Sequence, residues 1–116
     1  MAELDKLIKR IRGFNKERDW EQFHSPKNLA MALVVEVSEI AEHFQWLKEN
    51  ESRNLSAEKV AEIEEEIGDV MLFLLNLCNE LGIDAVKAAE EKLEKNREKY
   101  PVEKAKGNAR KYSEYE

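Results

Sequence analysis

Residues 25–47 read SPKNLAMALVVEVSEIAEHFQWL, and this stretch decides the fold. Ser25 followed by Pro26 is an N-cap with proline at the first helical position, where its missing N–H is not needed. Behind it Leu29, Leu33, Val37, Ile40, Phe44 and Leu47 recur at helical steps, the signature of one apolar face. The polar stretch from Lys48 to Asn54 then reads as a surface loop.

Working outward, Leu4, Leu7, Ile8, Ile11 and Phe14 predict a first helix over roughly Leu4 to Arg18, with the pattern broken from Asp19 to Lys27. After the loop, Ser56 offers an N-cap with Glu58 in the first turn. Val60, Ile63, Ile67, Val70, Leu74, Leu77 and Leu81 form a third stripe that Gly82 ends. Asp84 caps a fourth helix through Val86, Ala89, Leu93 and Asn96 to about Tyr100, where Pro101 forbids simple continuation. Residues 101–116 are left as a basic, aromatic tail. The expected architecture is an all-α antiparallel bundle of about four main helices. Its wide stripes call for completion by oligomerisation.

At 116 residues the chain is expected to be one domain, 1–116, with a core small enough to benefit from a partner subunit. Nineteen Lys and Arg against 25 Asp and Glu leave a formal charge of −6, which argues against a general affinity for nucleic-acid polymers or anionic membranes. Any polyanionic ligand must arrive with cations. The strictly apolar runs, such as Val70 to Leu75, are far below the roughly 20 residues needed to span a bilayer. Cys78 is the only cysteine, so no intrachain disulfide and no Cys-based zinc site can form. With no basic region and apolar run at Met-Ala-Glu-Leu-Asp, the expected location is cytoplasmic.

The chemistry is carried by two acid pairs, Glu36 with Glu39 and Glu66 with Asp69, each three residues apart and so neighbours on one helix face. Their settings are unusually apolar: Glu36 sits among Val34, Val35 and Val37, and Asp69 precedes Val70-Met71-Leu72-Phe73. The polar face continues through His43 and Trp46 on the second helix, and through Glu62, Phe73 and Asn76 on the third. If these faces meet, two of the carboxylates about 4 Å apart repel by roughly 4 kcal/mol at an effective dielectric of 20. A bound cation relieves that. Oxygen donors without imidazole or thiolate favour Mg²⁺ or Mn²⁺. The Glu-x-x-His pairs of di-iron bundles are not matched, since the corresponding partners are Glu39 and Asp69. The bland alternative is a solvated acidic face on a glutamate-rich helix, which is commonplace.

At these residues the sequence resembles the all-α nucleoside triphosphate pyrophosphatases, the MazG-like superfamily, whose motif here reads E36-V-S-E39 and E66-I-G-D69. It is most similar to the dCTP pyrophosphatase group, through ERDWEQFHSPKNLAMALVVEVSEIAEHFQWL at 17–47, EEIGDV at 65–70, KLEKNREKYP at 92–101 and RKYSE at 110–114. The resemblance implies cleavage of a nucleoside triphosphate between the α and β phosphates to a monophosphate and pyrophosphate, in nucleotide-pool sanitation. It also implies Mg²⁺ on Glu36, Glu39, Glu66 and Asp69, which would neutralise the triphosphate and acidify the attacking water. One of these acids would take the water's proton. By the same likeness Trp20 and Trp46 are candidates to stack on the base, His24 lies in a matched string at the substrate, and Phe73, at a position where that group often has tyrosine, is counted among the substrate-binding residues. Lys92, Asn96 and Tyr100 match positions facing the nucleotide, and their spacing of four keeps them on one side of the fourth helix. A homo-oligomer, a dimer of dimers, is the family precedent.

Two departures weaken the implied cytosine preference. Ile11 stands about where that group has a base-pocket histidine, and Phe73 replaces a frequent tyrosine. The substrate is therefore expected to be dCTP or a modified dCTP, with dUTP or a broad range of triphosphates as the alternative. A non-catalytic helical interaction module is the other competing reading.

Overall fold

The computed structural model describes residues 2–115. Met1 and Glu116, the ends of the expected domain, lie outside them. Six α-helices and two 3-10 turns are present, and no strand occurs among the described residues. The order is α1 (Ala2–Glu17), a 3-10 turn (Glu21–Phe23), α2 (Pro26–Phe44), α3 (Glu49–Ser52), α4 (Ala57–Leu81), α5 (Ala85–Lys99), α6 (Val102–Ala105) and a second 3-10 turn (Tyr112–Glu114). The four long helices stand where the apolar periodicity places them. Two short ones were not expected: α3 lies inside the stretch read as a loop, and α6 inside the tail.

The chain forms two compact units, Met1–Gly82 and Ile83–Glu116. In the first, α2 and α4 pack together and run antiparallel, since His43 near the end of α2 meets Glu62 and Glu66 early in α4. The α1 helix crosses to α4 through an Asn15–Asn76 hydrogen bond of 2.7 Å. Caps fix the helix starts. Ser25 accepts from the Asn28 N–H and Ser56 from the Lys59 N–H, each at 3.1 Å, and Pro26 follows Ser25 at the first helical position. Gly82 ends α4 at φ 67°, a left-handed conformation that glycine adopts without a Cβ penalty.

The end of α1 is less ordinary. Asp19 takes φ 55°, and its N–H donates to the Lys16 carbonyl while the Trp20 N–H donates to the Asn15 carbonyl. These are the paired bonds of a Schellman turn, here built on aspartate instead of glycine. The turn swings Trp20 back beside Phe14, the rings 5.6 Å apart and edge to face. Gln22 Nε2 donates to the Asp19 carboxylate and carbonyl at 2.9 and 3.0 Å, which helps offset the strain. Asp19→Val, with a β-branched side chain forced left-handed, is expected to lower the unfolding free energy by about 1–2 kcal/mol. Asp19→Gly should stay within about 0.5 kcal/mol of the native protein. Urea unfolding of both variants checks this.

The core is thin. Among the described residues only Ile11, Leu29, Ile63 and Leu75 are buried apolar ones. The expected stripes are therefore partly corrected: Leu29 and Ile63 are buried as read, but Val37, Val60, Ile67 and Leu74 are exposed, and it is Leu75 that packs inward. On α2 Met31, Val34 and Val35 are bare on successive turns, and on α4 so are Ile67, Met71 and Leu74.

In the second unit Asp84 caps α5 by accepting from the Lys87 N–H at 3.1 Å. Helix α5 stops before Pro101, and the following segment folds back instead of trailing as a tail. Tyr100 meets the rings of Tyr112 and Tyr115 edge to face at 6.0 and 6.1 Å, and Lys99 lies 5.0 Å from the Tyr112 ring centre.

Candidate active site

The acid pairs sit on the two helices that pack most closely, Glu36 and Glu39 on α2, Glu66 and Asp69 on α4. Burial lifts the Glu36 carboxyl above its ordinary range, and the charges of Glu39, Asp69 and Glu66, with a hydrogen bond to Glu39, push the same way. Four acids from two helices thus act on one position. Glu36 Oε2 is shut off from solvent with no hydrogen-bond donor, an arrangement that costs free energy unless something positive reaches it.

Glu66 Oε2 is also shut off, and it lies 2.6 Å from His43 Nε2. The contact is close enough for an ion pair but lacks hydrogen-bond alignment. His43, which the sequence placed on the polar face of the second helix without a role, therefore borders the acid face. On its other nitrogen it meets Lys59 Nζ at 3.3 Å, and Lys59 in turn pairs with Glu62 at 3.3 Å. Its spacing was visible, four residues past Glu39 on the same face, but nothing in the sequence said that Glu66 would stand opposite. Among the described residues no three carboxylate or imidazole side chains form a ready-made metal cage. The donor set suits a hard divalent ion in charge and chemistry.

Because the folded-state value of Glu36 is raised, its contribution to stability is fully present below the ordinary value, 4.5, and lost as pH rises through the raised one. Metal-free protein is expected to melt at higher temperature as pH falls from 7 toward that range, and Glu36→Gln should show less of this gain. Identical pH profiles for the two proteins would count against the crowding.

Asp69 also lines a cavity of about 420 Å³ between α1, the turn that follows it and α4. Phe14, Trp20 and Phe73 give it aromatic walls, with Leu7, Ile11 and Leu72 as further apolar lining. His24, whose ring centre is 6.3 Å from that of Trp20, is at the same cavity. Of the expected substrate residues, Trp20, His24 and Phe73 are thus brought together beside one of the acids. Trp46 is not on this cavity. It lies just past the end of α2 and is 86% exposed. Lys92, Asn96 and Tyr100 form a row of their own on α5 and its C-terminal cap, where the Tyr100 N–H donates to the Asn96 carbonyl at 2.8 Å. Arg97 turns aside to Glu94 at 3.4 Å. Three polar cavity residues, Arg10, Asn15 and Asn76, were absent from the sequence reading as site candidates.

An all-α bundle with two acid-bearing helices packed together and an aromatic cavity at their side defines a class of protein, and comparison with known families gives it a place. A MazG-like family model matches residues 31–115, and the chain belongs to that family. It is 42% identical over 110 residues to dCTP pyrophosphatase 1 of Homo sapiens and 41% to that of Rattus norvegicus, covering 92% of this chain. The chain spans 65% of the length of those relatives. A pyrophosphatase of Archaeoglobus fulgidus, known from its crystal structure, superposes with a TM-score of 0.81 at 39% identity, over 85% of this chain and 93% of that one. No helix among the described residues is long and apolar enough to cross a membrane.

Proposed function

We propose that this chain is a divalent-metal-dependent nucleoside triphosphate pyrophosphohydrolase, acting on dCTP or a modified dCTP to give the monophosphate and pyrophosphate. The observation that carries this reading is the Glu36 carboxylate, crowded by three other acids and without a donor at Oε2, on a helix packed against the one that supplies Asp69 to the aromatic cavity. The names of its relatives support the reaction class.

In this reading Glu36, Glu39, Glu66 and Asp69 hold Mg²⁺, with Mn²⁺ as a substitute. The ion's contribution, when bound, is to neutralise triphosphate charge and to make a water more acidic. Trp20, braced edge to face by Phe14, offers its face to the base, Phe73 closes the wall, and His24 steadies Trp20. A water attacks the α-phosphorus in line with the departing pyrophosphate, and one of the four acids takes its proton. Lys92 and Asn96 meet phosphate and sugar, with Tyr100 at the end of that row, and Trp46 keeps a bare ring available for stacking. Residues 1–116 act as one functional domain, a view supported by a family match that runs across both compact units. Copies of the chain assemble through the bare stripes of α2 and α4.

Ile11, which gives the cavity no polar group at its position, is the feature that favours a broader substrate range. One panel of deoxy- and ribonucleoside triphosphates with Mg²⁺, scored for monophosphate and pyrophosphate, decides among the readings. Preferred turnover of dCTP supports the proposal, even turnover supports the broad alternative, and no metal-dependent pyrophosphate release leaves the interaction-module reading.

A further inference from the structure

Two carboxamides open on the cavity from different helices, Asn15 on α1 and Asn76 on α4, alongside the charged or ionisable Arg10, His24 and Asp69. Asn15 is only 8% exposed, and an amide so buried is costly unless its atoms are partnered. The partners leave little freedom. Asn76 Nδ2 donates to the Leu72 carbonyl one turn back at 3.0 Å, and Asn15 Nδ2 donates to Asn76 Oδ1 at 2.7 Å. A backbone carbonyl can only accept, so it dictates which end of Asn76 is nitrogen. Asn76 must then present its oxygen to Asn15, and this dictates the orientation of Asn15 in turn.

What remains on Asn15 is an oxygen with no donor among the described residues and, next to it, the second N–H of the same amide. Acceptor beside donor is the complement of an amino group beside an imine nitrogen. Among pyrimidines that is the 4-amino and N3 edge of cytosine. Uracil offers the reverse, a carbonyl beside an N–H, so its oxygen would face the Asn15 oxygen. An unconstrained asparagine flips to suit either base, but here a flip breaks the bond to Asn76.

We infer that Asn15, held in one orientation by Asn76 and the Leu72 carbonyl, is the specificity-determining residue that selects cytosine over uracil in this cavity. The inference rests on the pyrophosphohydrolase reading and supplies a polar reader that Ile11 does not. Sites built to hydrogen-bond a substrate reject mismatched analogues strongly, because the site's own polar groups are left unpaired.

The test is kcat/KM for dCTP and dUTP with Mg²⁺ on the native protein, Asn15→Ala and Asn76→Ala, with titration calorimetry of dCMP and dUMP alongside. The native protein should favour dCTP by on the order of 10–100-fold, the worth of a good bidentate pair. In Asn15→Ala the preference should collapse through a raised KM for dCTP. In Asn76→Ala the freed amide should turn dUTP over several-fold faster than in the native protein, a gain that loss of structure does not produce. Should Asn15→Ala fail to fold, the native ratio and Asn76→Ala still decide. Native hydrolysis that favours dUTP or treats the two alike, or a preference unchanged in both variants, overturns the assignment. Absence of any triphosphate hydrolysis counts instead against the proposed function, and equal binding of dCMP and dUMP would then overturn this inference separately.

Discussion

Glu39→Gln is expected to lower kcat by orders of magnitude while leaving the metal-free protein as stable as before, or more so. The substitution keeps the shape of the side chain and removes one negative charge from the set that presses on Glu36. Relief of repulsion therefore raises or preserves the melting temperature without metal. If the four acids hold Mg²⁺ as proposed, the same loss of charge weakens that hold, so the rise in melting temperature on adding Mg²⁺ should shrink, as linkage between binding and folding requires. An ordinary solvated glutamate predicts neither effect: turnover near normal and a stability change below about 0.5 kcal/mol. Measuring kcat and melting with and without Mg²⁺ on this one variant separates the two, and near-normal turnover removes Glu39 from the site.

Val34→Glu is expected to take the assembly apart. Val34 is 64% exposed within the chain, with Met31 and Val35 bare beside it, and on a free surface a glutamate there is harmless or helpful to solubility. Between copies of the chain it buries a charge without a partner, which is among the most destabilising of single changes. Sedimentation should show the native protein at a multiple of 13.6 kDa and the variant shifted toward that mass, with a lower melting temperature. A native protein that is monomeric at micromolar concentration and fully active defeats the proposed assembly.

Much of the fold could be read from local chemistry, because the helix boundaries are set by local chemistry. Ser25-Pro26, Ser56, Asp84 and Gly82 each satisfy or terminate backbone groups within a few residues, and all four act as their types suggest. The inward-facing residues were harder. Apolar periodicity marks a face as needing cover but not what covers it, so Ile67 and Leu74 looked like core and are bare within the chain, while Leu75 is buried. The acid motif was legible as two pairs, since spacing along a helix determines neighbours. Contacts between helices were not: the meeting of His43 with Glu66, and of Asn15 with Asn76, joins residues 23 and 61 positions apart in the chain (66 − 43 and 76 − 15). The left-handed Asp19 carried no signal either, because aspartate occupies that conformation only occasionally.

The turn at Asp19 binds the cavity to the fraying of a helix end. The carbonyl of Asn15 holds the Trp20 amide, and the side chain of Asn15 reaches across to α4. If the last turn of α1 unwinds, the aromatic wall and the polar reader are released in one event. Access to the cavity would then be coupled to a local opening equilibrium, and amide hydrogen exchange at Trp20 would report it. A ligand that seals the cavity slows that exchange without touching the amide.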